Sequence, residues 1–540
     1  MRLKTIRVTN HSRIGDLEIE VRDHAVIVGA NDVGKSSLLR LLNLLIGTNT
    51  GRLSQELSLA DLANMAVELA VEADLVDFTD AERTLFPSEI SVAATDHEET
   101  LRIRLTAAVN TDDPEALDIR RWFPEAGHPR GPSREQLLAF GWRYLSATRG
   151  TSVTSFEGPN GALRTLFEAI ELGVEQAQLA KLLGDFNSSL GTSSKLNELR
   201  GNVATHLSKA MPRIVSKEDL AVRTAADPEQ DVLGSVTMFF KNGDDHVPMS
   251  EQSDGLRQLM SMTLFDLAVG TANIVAIDEP ELHLHPSSQR TVAGLFGEAG
   301  NQKILVTHSP YIVQRFEPSQ IIAVNRDGDC HQIADAKLSA VEKERANWWS
   351  PRLLEGLSAR FAIIVEGPSD RVIVEAVANL KGISLDRLGA VIIDLDGAMK
   401  FPHVYKLIGK DGFSVHILGL VDEKEKAIWQ GAIGGKPKHV FGESIWVSTP
   451  DIEYEYSEAF TGPGAARALI AAGFCREQAI LSSCEVEVLE DVTVPAIASY
   501  CRNDKISAAV AIASQLDLET AANITSVNGL LEKLRSLGAR

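Results

Sequence analysis

The chain is poor in cysteine, in aromatic residues and in positive charge. Its 540 residues include four cysteines, none of them in a C-x-x-C pair: Cys330, Cys475, Cys484 and Cys501. This spacing excludes a disulfide framework or a zinc ribbon and favours a reducing, cytoplasmic compartment. With 53 Lys and Arg against 74 Asp and Glu, the net charge of -21 excludes a global basic field of the kind that marks nucleic-acid-binding proteins. Any nucleic acid would have to bind at a local patch or through metal ions.

Long apolar runs and low-complexity tracts are also absent. No run of about 18 apolar residues occurs, and the start of the chain lacks the apolar core of a signal peptide, so we expect neither a membrane span nor secretion. The 20 prolines and 40 glycines are too few for a collagen-like or largely disordered chain. A chain of this length that is 44% hydrophobic should form about two to four domains with cores of their own.

Hydrophobic periodicity indicates two α/β units. Alternating apolar residues predict strands at the start of the chain and a meander over 67–110, whereas the pattern over 134–215, including the segment LLAFGWRYL, is typical of helices. Short strands alternate with helices from 230 and again from 361. This alternation predicts parallel sheets, because each parallel crossover needs a connecting element. We place the domain boundary inside the polar stretch 326–359.

A Walker A motif lies between the third predicted strand and the next helix, the context in which such a motif binds phosphate. Its glycines let backbone N–H groups surround phosphate, Lys35 reaches the β- and γ-phosphate oxygens, and the Ser36 hydroxyl ligates Mg²⁺. The residues predicted to bind nucleotide here are Gly29, Asn31, Gly34, Lys35, Ser36 and Ser37.

Two later strand ends complete the predicted nucleotide site. The apolar strand after Asn273 ends in Asp278 and Glu279, as a Walker B strand does. We expect Asp278 to hold Mg²⁺ through water and Glu279 to polarise the attacking water. A third apolar strand ends just before His308, which is placed to sense the γ-phosphate. The first unit is therefore predicted to bind ATP and Mg²⁺.

These motifs resemble those of the ABC-type ATPases that act on DNA, the group that includes the SMC and RecF families. The segment from Asp278 to Pro286 is similar to their extended Walker B and D-loop, and Ser253-Asp-Gly255-Leu-Arg-Gln is similar to the signature motif that a second copy contributes. The usual double glycine of that signature is absent. The resemblance implies that Ser253 and Gly255 contact ATP across a homodimer or a higher homo-oligomer.

Carboxylates also end two predicted strands of the second unit. Glu366 follows an apolar strand, Asp370 comes one helical turn later, and Asp422 ends another apolar run two strands on. Ligands collect at the carboxyl edge of open α/β sheets, so we expect these acids to converge on a cation. Mg²⁺ or Mn²⁺ suits an all-oxygen site and activates water for attack on a phosphodiester.

This acidic edge resembles the Toprim domain, and a Toprim domain behind an ABC-type ATPase resembles the OLD (overcoming lysogenization defect) family of nucleases, including the Gabija-type phage-defence nucleases. The resemblance covers essentially the full length. Tyr144-Leu-Ser-Ala-Thr-Arg149 is similar to a motif of that family before its helical insertion. The resemblance implies stabilisation of transition-state charge by Lys505 and metal binding by Glu366, Asp370 and Asp422. It also implies that the carboxylates of the motif Asp451-Ile-Glu453-Tyr-Glu455 complete a second metal site.

One position departs from the Toprim pattern. Lys424 stands where a second aspartate is usual. Either Glu423 or Glu425 takes its place, or metal binding is weakened.

We therefore predict an α/β protein with an ABC/SMC-like ATPase domain followed by a Toprim-type α/β domain. The ATPase domain is assigned to 1–345, with a helical insertion at about 150–215 as a candidate dimer contact, and the Toprim domain with its helical tail to 355–540. The predicted function is a metal-dependent DNA endonuclease regulated by ATP in an ATPase dimer, in anti-phage defence. The predicted catalytic residues are Glu366, Asp370, Asp422, Lys505 and Glu279.

Several alternatives stay open. The chain is instead a DNA-sensing or clamping ATPase if the Toprim module is degenerate, or a nucleotidyl transferase such as a primase if it uses nucleoside triphosphates. Whether ATP activates or restrains cleavage, and whether a helicase-like partner takes part, is equally open.

Three further groups have competing interpretations. Asp394 and Asp396 form another Asp-x-Asp at a strand end, with a metal or a structural role. His283 and His285 point to opposite sides if extended, which argues against a metal pair. A basic run is either a DNA-binding patch or a solvated face: Lys400, Lys406, Lys410, Lys424, Lys426, Lys436 and Lys438.

Overall fold

The structure is a computed structural model with two compact units. One unit comprises Met1–Leu145, Ala272–Glu281 and Asn301–Arg540, and the other comprises Ser146–Thr271 and Leu282–Gly300. No helix among the described residues is long and apolar enough to cross a membrane. The structure describes residues 1–146 except 32, 94–96 and 127–129; 172–325 except 174, 211–215, 221–223, 225–232, 234–235, 237–238, 243–244, 249–250, 254, 258, 261, 263–271 and 299; and 328–333, 339 and 350–539.

The strands of the described residues are numbered in chain order. They are β1 (Arg2–Thr9), β2 (Leu17–Glu20), β3 (His24–Gly29), β4 (Leu69–Val76), β5 (Ile90–Val92), β6 (Glu99–Val109), β7 (Leu117–Trp122), β8 (Trp142–Leu145), β9 (Phe239–Asn242), β10 (Asp245–Pro248), β11 (Ile274–Asp278), β12 (Gln302–Val306), β13 (Ile321–Val324), β14 (Cys330–Gln332), β15 (Phe361–Val365), β16 (Ala390–Asp394), β17 (His416–Asp422) and β18 (Ile445–Ser448).

The α-helices are numbered in the same way. They are α1 (Lys35–Leu42), α2 (Leu53–Glu56), α3 (Asp80–Leu85), α4 (Arg134–Ala139), α5 (Glu175–Thr192), α6 (Ser194–Ala210), α7 (Pro286–Glu298), α8 (Pro310–Val313), α9 (Pro351–Glu355), α10 (Pro368–Leu380), α11 (Leu385–Leu388), α12 (Phe401–Ile408), α13 (Lys426–Ile433), α14 (Ile452–Phe460), α15 (Gly462–Ala471), α16 (Glu477–Cys484), α17 (Val494–Cys501), α18 (Lys505–Gln515), α19 (Leu518–Ala522) and α20 (Thr525–Gly538).

The N-terminal part of the larger unit combines an antiparallel and a mainly parallel sheet. The antiparallel sheet runs β2-β1-β4-β6, with β5 and β7 also paired to β6, which confirms the predicted meander. The second sheet has the order β14-β13-β3-β12-β11-β8, parallel except for β14. Its register sets Ile27 of β3 and Asp278 of β11 opposite Val306 of β12. The loops that follow these three strands therefore leave the sheet at one edge.

The helical interpretation of the segment LLAFGWRYL is wrong in its second half. Helix α4 ends at Ala139, and Gly141 adopts a left-handed conformation with φ of 59°, after which Trp142–Leu145 pairs in parallel with β11. A Cβ at Gly141 would lie 2.7 Å from the Asn273 backbone nitrogen, so glycine is required where the chain turns onto β11. The apolar spacing fits a helix, but the tertiary pairing makes this segment a strand.

The C-terminal part of the larger unit is a second α/β layer. Its sheet is fully parallel in the order β16-β15-β17-β18, and β18 is a strand that the periodicity did not predict. Helices α10 and α18 pack together, burying Ile373 and Val377 of one and Ala508 and Ile512 of the other in the same core. The chain crosses from β15 to β16 on one side and returns to β17 on the other. The carboxyl ends of β15 and β17 thus flank the position where parallel sheets bind ligands.

The smaller unit contains helices within the predicted insertion. Helices α5 and α6 pack against each other, and β9 and β10 form an antiparallel hairpin. Of the motif Tyr144–Arg149, residues 147–149 lie outside the described residues, as does most of 150–174.

Candidate functional site

The Walker A loop joins β3 to α1. Gly34 is the N-cap of α1 with φ of 89°, and a Cβ there would lie 2.5 Å from a backbone carbonyl oxygen, so the position requires glycine. The buried Lys35 ammonium donates to the carbonyl oxygens of Gly29 (3.1 Å) and Ala30 (2.5 Å). These contacts place the cation within the loop that surrounds phosphate in P-loop proteins.

The Walker B strand brings a carboxylate to the start of α1. The Ser36 hydroxyl donates to Asp278 Oδ1 at 3.0 Å, and Asp278 is buried at the end of β11. A P-loop hydroxyl beside a Walker B aspartate is the oxygen pair that holds Mg²⁺ in P-loop ATPases, so these residues fit that ion. Of the other predicted contacts, Asn31 is exposed in the turn and Ser37 is half-buried in the first turn of α1.

The next two strand ends meet beside this pair. Glu279 Oε1 lies 3.9 Å from His308 Nε2. Burial, with a further contribution from the Lys35 charge, lowers the pKa of His308 to about 4, so the imidazole is neutral near pH 7. No role was predicted for Glu281, whose carboxylate accepts from the His308 backbone N–H (2.5 Å) and from Thr307 Oγ1 (2.8 Å). The sequence signal for it is its place as the second glutamate of Asp-Glu-Pro-Glu.

The two predicted signature residues lie in the smaller unit. The Ser253 carbonyl oxygen accepts from the Arg257 N–H at 2.9 Å, within a helical turn. A Cβ at the half-buried Gly255 would lie 3.0 Å from the His283 carbonyl oxygen, so a small residue suits this position. The contact of Ser253 and Gly255 with ATP of a second copy stays a prediction.

Three carboxylates meet at the carboxyl edge of the second parallel sheet. Oxygens of Glu366, Asp422 and Glu425 lie within 4.8 Å of one another, and the Asp422 backbone N–H donates to Glu366 Oε1 at 2.8 Å. Glu425 contributes the third carboxylate of this group. The Lys424 side chain is 90% exposed, and its ammonium lies 3.8 Å from Glu425 Oε1. Glu423 instead pairs with Lys426 at 3.0 Å. Of the two glutamates that the sequence left as alternatives, the structure brings Glu425 to the cluster.

Other predicted residues surround this cluster. Asp370 is buried at the start of α10 and accepts from the Gly367 N–H at 2.8 Å. Glu453 is fully buried and accepts from the Lys505 ammonium at 3.1 Å, which fixes that cation beside the acids. Its other oxygen, Oε1, is buried with no hydrogen-bond partner among the described residues.

The electrostatics of the edge indicate a need for positive charge. Burial, followed by the charges of Glu366 and neighbouring acids, raises the pKa of Asp422 to about 9. Burial likewise raises the pKa of Asp370 to about 7 despite the hydrogen bond from Gly367, and it raises the pKa of Glu366. Clustered acids with elevated pKa values are stabilised as carboxylates by a cation. An all-oxygen donor set with one orphaned carboxylate oxygen therefore fits Mg²⁺ or Mn²⁺.

Asp451, the first acid of the motif Asp451–Glu455, has other contacts. Asp451 caps α14 by accepting from the Tyr454 N–H and receives a bidentate contact from Arg502 at 2.7 and 3.0 Å. Arg502 was not predicted as a site residue, and its one sequence signal is its place three residues before Lys505. Asp451 is not one of the three carboxylates that meet at the edge.

The competing groups have structural partners. Asp394 pairs with Arg352 and, at 3.6 Å, with Arg371. Asp396 is exposed and lies 3.7 Å from Lys400. His285 Nδ1 contacts Ser287 Oγ at 3.0 Å. In the predicted basic run, Lys426 is paired with Glu423, as noted above, whereas Lys436 and Lys438 are exposed.

The P-loop centre and the acidic sheet edge define an ATPase joined to a Toprim-type α/β domain. The chain belongs to the AAA ATPase domain family, which matches residues 1–102 and 133–313, and residues 357–423 match the overcoming lysogenization defect protein-like TOPRIM domain. These matches confirm the predicted fold class and the predicted relationship to the OLD family.

Two relatives each match about three quarters of this chain. The chain is 23% identical over 427 residues to the OLD nuclease of Thermus scotoductus, covering 73% of this chain and 77% of that protein. It is 19% identical over 428 residues to endonuclease GajA of Bacillus cereus, covering 74% and 71%. A solved C-terminal region of the Burkholderia pseudomallei OLD protein is 22% identical, with a TM-score of 0.28, and covers 33% of this chain and 98% of that chain.

Proposed function

We propose that this chain is a metal-dependent DNA endonuclease whose cleavage is regulated by ATP in an ATPase dimer. The observation that carries the proposal is the group of three carboxylates, Glu366, Asp422 and Glu425, within 4.8 Å of one another at the carboxyl edge of the second sheet. The names of the two relatives, OLD nuclease and endonuclease GajA, support nuclease activity at this edge.

The proposed reaction is in-line hydrolysis of a phosphodiester. The oxygen of water forms a bond to phosphorus, the bond to one sugar oxygen breaks, and that oxygen leaves with a proton. A divalent cation bound to the carboxylates supplies positive charge for activating water and for the leaving oxygen. Lys505, held on Glu453, supplies a fixed ammonium beside the same edge and so stabilises charge on the phosphate.

The ATPase part is proposed to work through the Walker residues. Ser36 and Asp278 hold Mg²⁺ with the nucleotide, Glu279 polarises the attacking water, and His308 senses the γ-phosphate. Ser253 and Gly255 are proposed to reach the nucleotide of a second copy, which makes the active form a homodimer or a higher homo-oligomer. Defence against phage is the proposed biological role, and reduced plaque formation on cells that express the chain would test it.

The direct test is cleavage of supercoiled plasmid with Mg²⁺ or Mn²⁺, with and without ATP, read as nicked and linear bands. Wild type is expected to cut, EDTA to stop cutting, and Glu366→Ala and Glu425→Gln each to lower the rate by about 100-fold or more, because each removes a metal ligand. Glu423→Gln is the matched control, since Glu423 pairs with Lys426 outside the cluster.

Two outcomes would overturn the proposal. One is wild-type protein that binds plasmid but cuts it under none of the metal and nucleotide conditions. The other is cutting by Glu366→Ala and Glu425→Gln at the rate of Glu423→Gln, which would place the chemistry elsewhere.

A further inference from the structure

Asp394, whose Asp-x-Asp motif offered a second metal site, lies between two parts of the larger unit. It ends β16, next to the strand that leads to Glu366, and its side chain is only 11% exposed. Two arginines from different elements contact it: Arg352 of α9, before the second sheet begins, and Arg371 of α10. Because Asp394 pairs with two arginines, it links α9 to α10.

One of these elements rests on the ATPase part. Helix α9 packs against α8, which begins two residues after His308. The turn Gly356–Ser358, which follows α9, contacts β3 and β13, the Walker A strand and its neighbour. A Cβ at Gly356 would lie 2.9 Å from Ile393 Cδ1, so this turn is packed tightly against β16. The segment Pro351–Ser358 therefore packs both on the helix that follows His308 and on β3 and β16.

The other element leads to the metal-binding edge. Arg371 directly follows Asp370 in α10. Beyond Asp394 the chain is tied to the neighbouring strand end, because Leu395 N–H donates to the Val365 carbonyl oxygen (3.1 Å) and Gly397 N–H donates to that of Glu366 (3.0 Å). The position of Asp394 therefore bears on the backbone of both Glu366 and Asp370.

We propose that Asp394 is a positioning residue that couples the nucleotide site to the nuclease edge through the contact of Arg352 with Asp394. When α9 moves, Arg352 moves with it, and the contact with Asp394 shifts the backbone that carries the proposed metal ligands. For its cleavage readout this inference rests on the proposed endonuclease function. It adds the route by which ATP alters cleavage.

The Arg352–Asp394 contact is suited to a test by substitution. Arg352 is 51% exposed, and ion pairs with one exposed partner contribute little to stability, so Arg352→Gln is expected to fold. Arg467→Gln is the matched control, since it breaks an exposed pair with Glu490 elsewhere in the same part of the chain.

The first measurement is the ratio of plasmid cleavage rates with and without ATP. We expect Arg467→Gln to keep the wild-type ratio, whatever its sign, and Arg352→Gln to bring the ratio to about one while ATP-free cleavage stays within about twofold of wild type. Arg352→Lys, which keeps the charge, should restore at least part of the ratio. The double variant of Arg352→Gln with Asp394→Asn should lose no more of the ratio than Arg352→Gln alone, because both act at one contact.

The second measurement does not depend on cleavage. Hydrogen exchange of the backbone over 390–397 is followed with and without ATP, and we expect ATP to change it in wild type and in Arg467→Gln but not in Arg352→Gln. If wild type fails to cut DNA, the proposed function falls, while this measurement still decides the coupling. The coupling is refuted if ATP changes neither cleavage nor exchange in wild type, or if Arg352→Gln responds to ATP as wild type does.

Discussion

Glu281 connects the Walker B strand to the loop that carries His308. Its two carboxylate oxygens accept from the His308 N–H and the Thr307 hydroxyl. In Glu281→Ala both donors lose this acceptor, which lowers the free energy of unfolding by about 1–3 kcal/mol for each buried donor. The loop that carries His308 is then no longer held in place. We expect the kcat of ATP hydrolysis to fall about tenfold or more, with the KM for ATP little changed, in a steady-state assay.

The conservative variant separates positioning from charge at this residue. The side-chain oxygen of Glu281→Gln still accepts from His308 N–H, and its amide donates to Thr307 Oγ1, so most of the activity should remain. If Glu281→Gln is as impaired as Glu281→Ala, the negative charge matters and the positioning role is refuted.

The neutral state of His308 gives a pH prediction. Its pKa is lowered to about 4 by burial and by Lys35, so the ring binds a proton only well below pH 6. Between pH 6 and 8 we expect the pH profiles of kcat for wild type and for His308→Gln to have the same inflections. His308→Gln should be slower at every pH. An inflection near pH 6.5 in wild type alone would show that the imidazole titrates at its ordinary value.

The three acids of the motif Asp451–Glu455, at the start of α14, have different contacts. Asp451 caps α14 and binds Arg502, Glu453 holds Lys505, and the buried Glu455 accepts from the Thr525 hydroxyl (2.8 Å) and the Ser526 N–H (2.7 Å). Helix α20 has no side-chain cap of its own, so Glu455 supplies the acceptor at its N-terminus. The role of Glu455 is therefore structural.

We expect Glu455→Ala to lower the free energy of unfolding by about 1–3 kcal/mol, because buried donors of α20 lose their acceptor. Thermal unfolding followed by circular dichroism measures the change. Glu458→Ala is the control on the same helix. Because Glu458 is exposed, this variant should unfold at the wild-type temperature. Equal unfolding temperatures for both variants would contradict the capping role.

The motifs at strand ends could be predicted from the sequence, because each depends only on the order of residues along the chain. A glycine loop after one apolar strand and acids after another meet at one edge in any parallel sheet, as Ser36 and Asp278 do. The choice of Glu425 over Glu423 was not predictable, because it depends on how the turn after Asp422 directs side chains. Asp394 reads like a metal ligand until the arginines contributed by α9 and α10 are known.

The net charge of -21 constrains how the whole molecule meets a polyanion. A chain of this charge repels DNA at long range, so the proposed DNA binding would have to come from local cations and from the proposed metal ions at the acidic edge. The acids Asp422 and Asp370 at this edge have elevated pKa values, so cation binding, pH and stability are expected to be linked there.

We expect the stability of the folded chain to depend on pH and on Mg²⁺ through the acids of this edge. In the folded chain the pKa of Asp422 is about 9 and that of Asp370 about 7, against about 3.9 when unfolded. Between about pH 4 and 9 the folded state therefore holds protons that the unfolded state has lost, so stability in EDTA should fall as pH rises. Mg²⁺ binds the ionised acids, so the increase in Tm that it produces should be larger at pH 9 than at pH 6. Asp422→Asn should shrink this difference, and Asp386→Asn, which removes an exposed charge, should not. A Mg²⁺ effect of equal size in both variants would place the metal away from this edge.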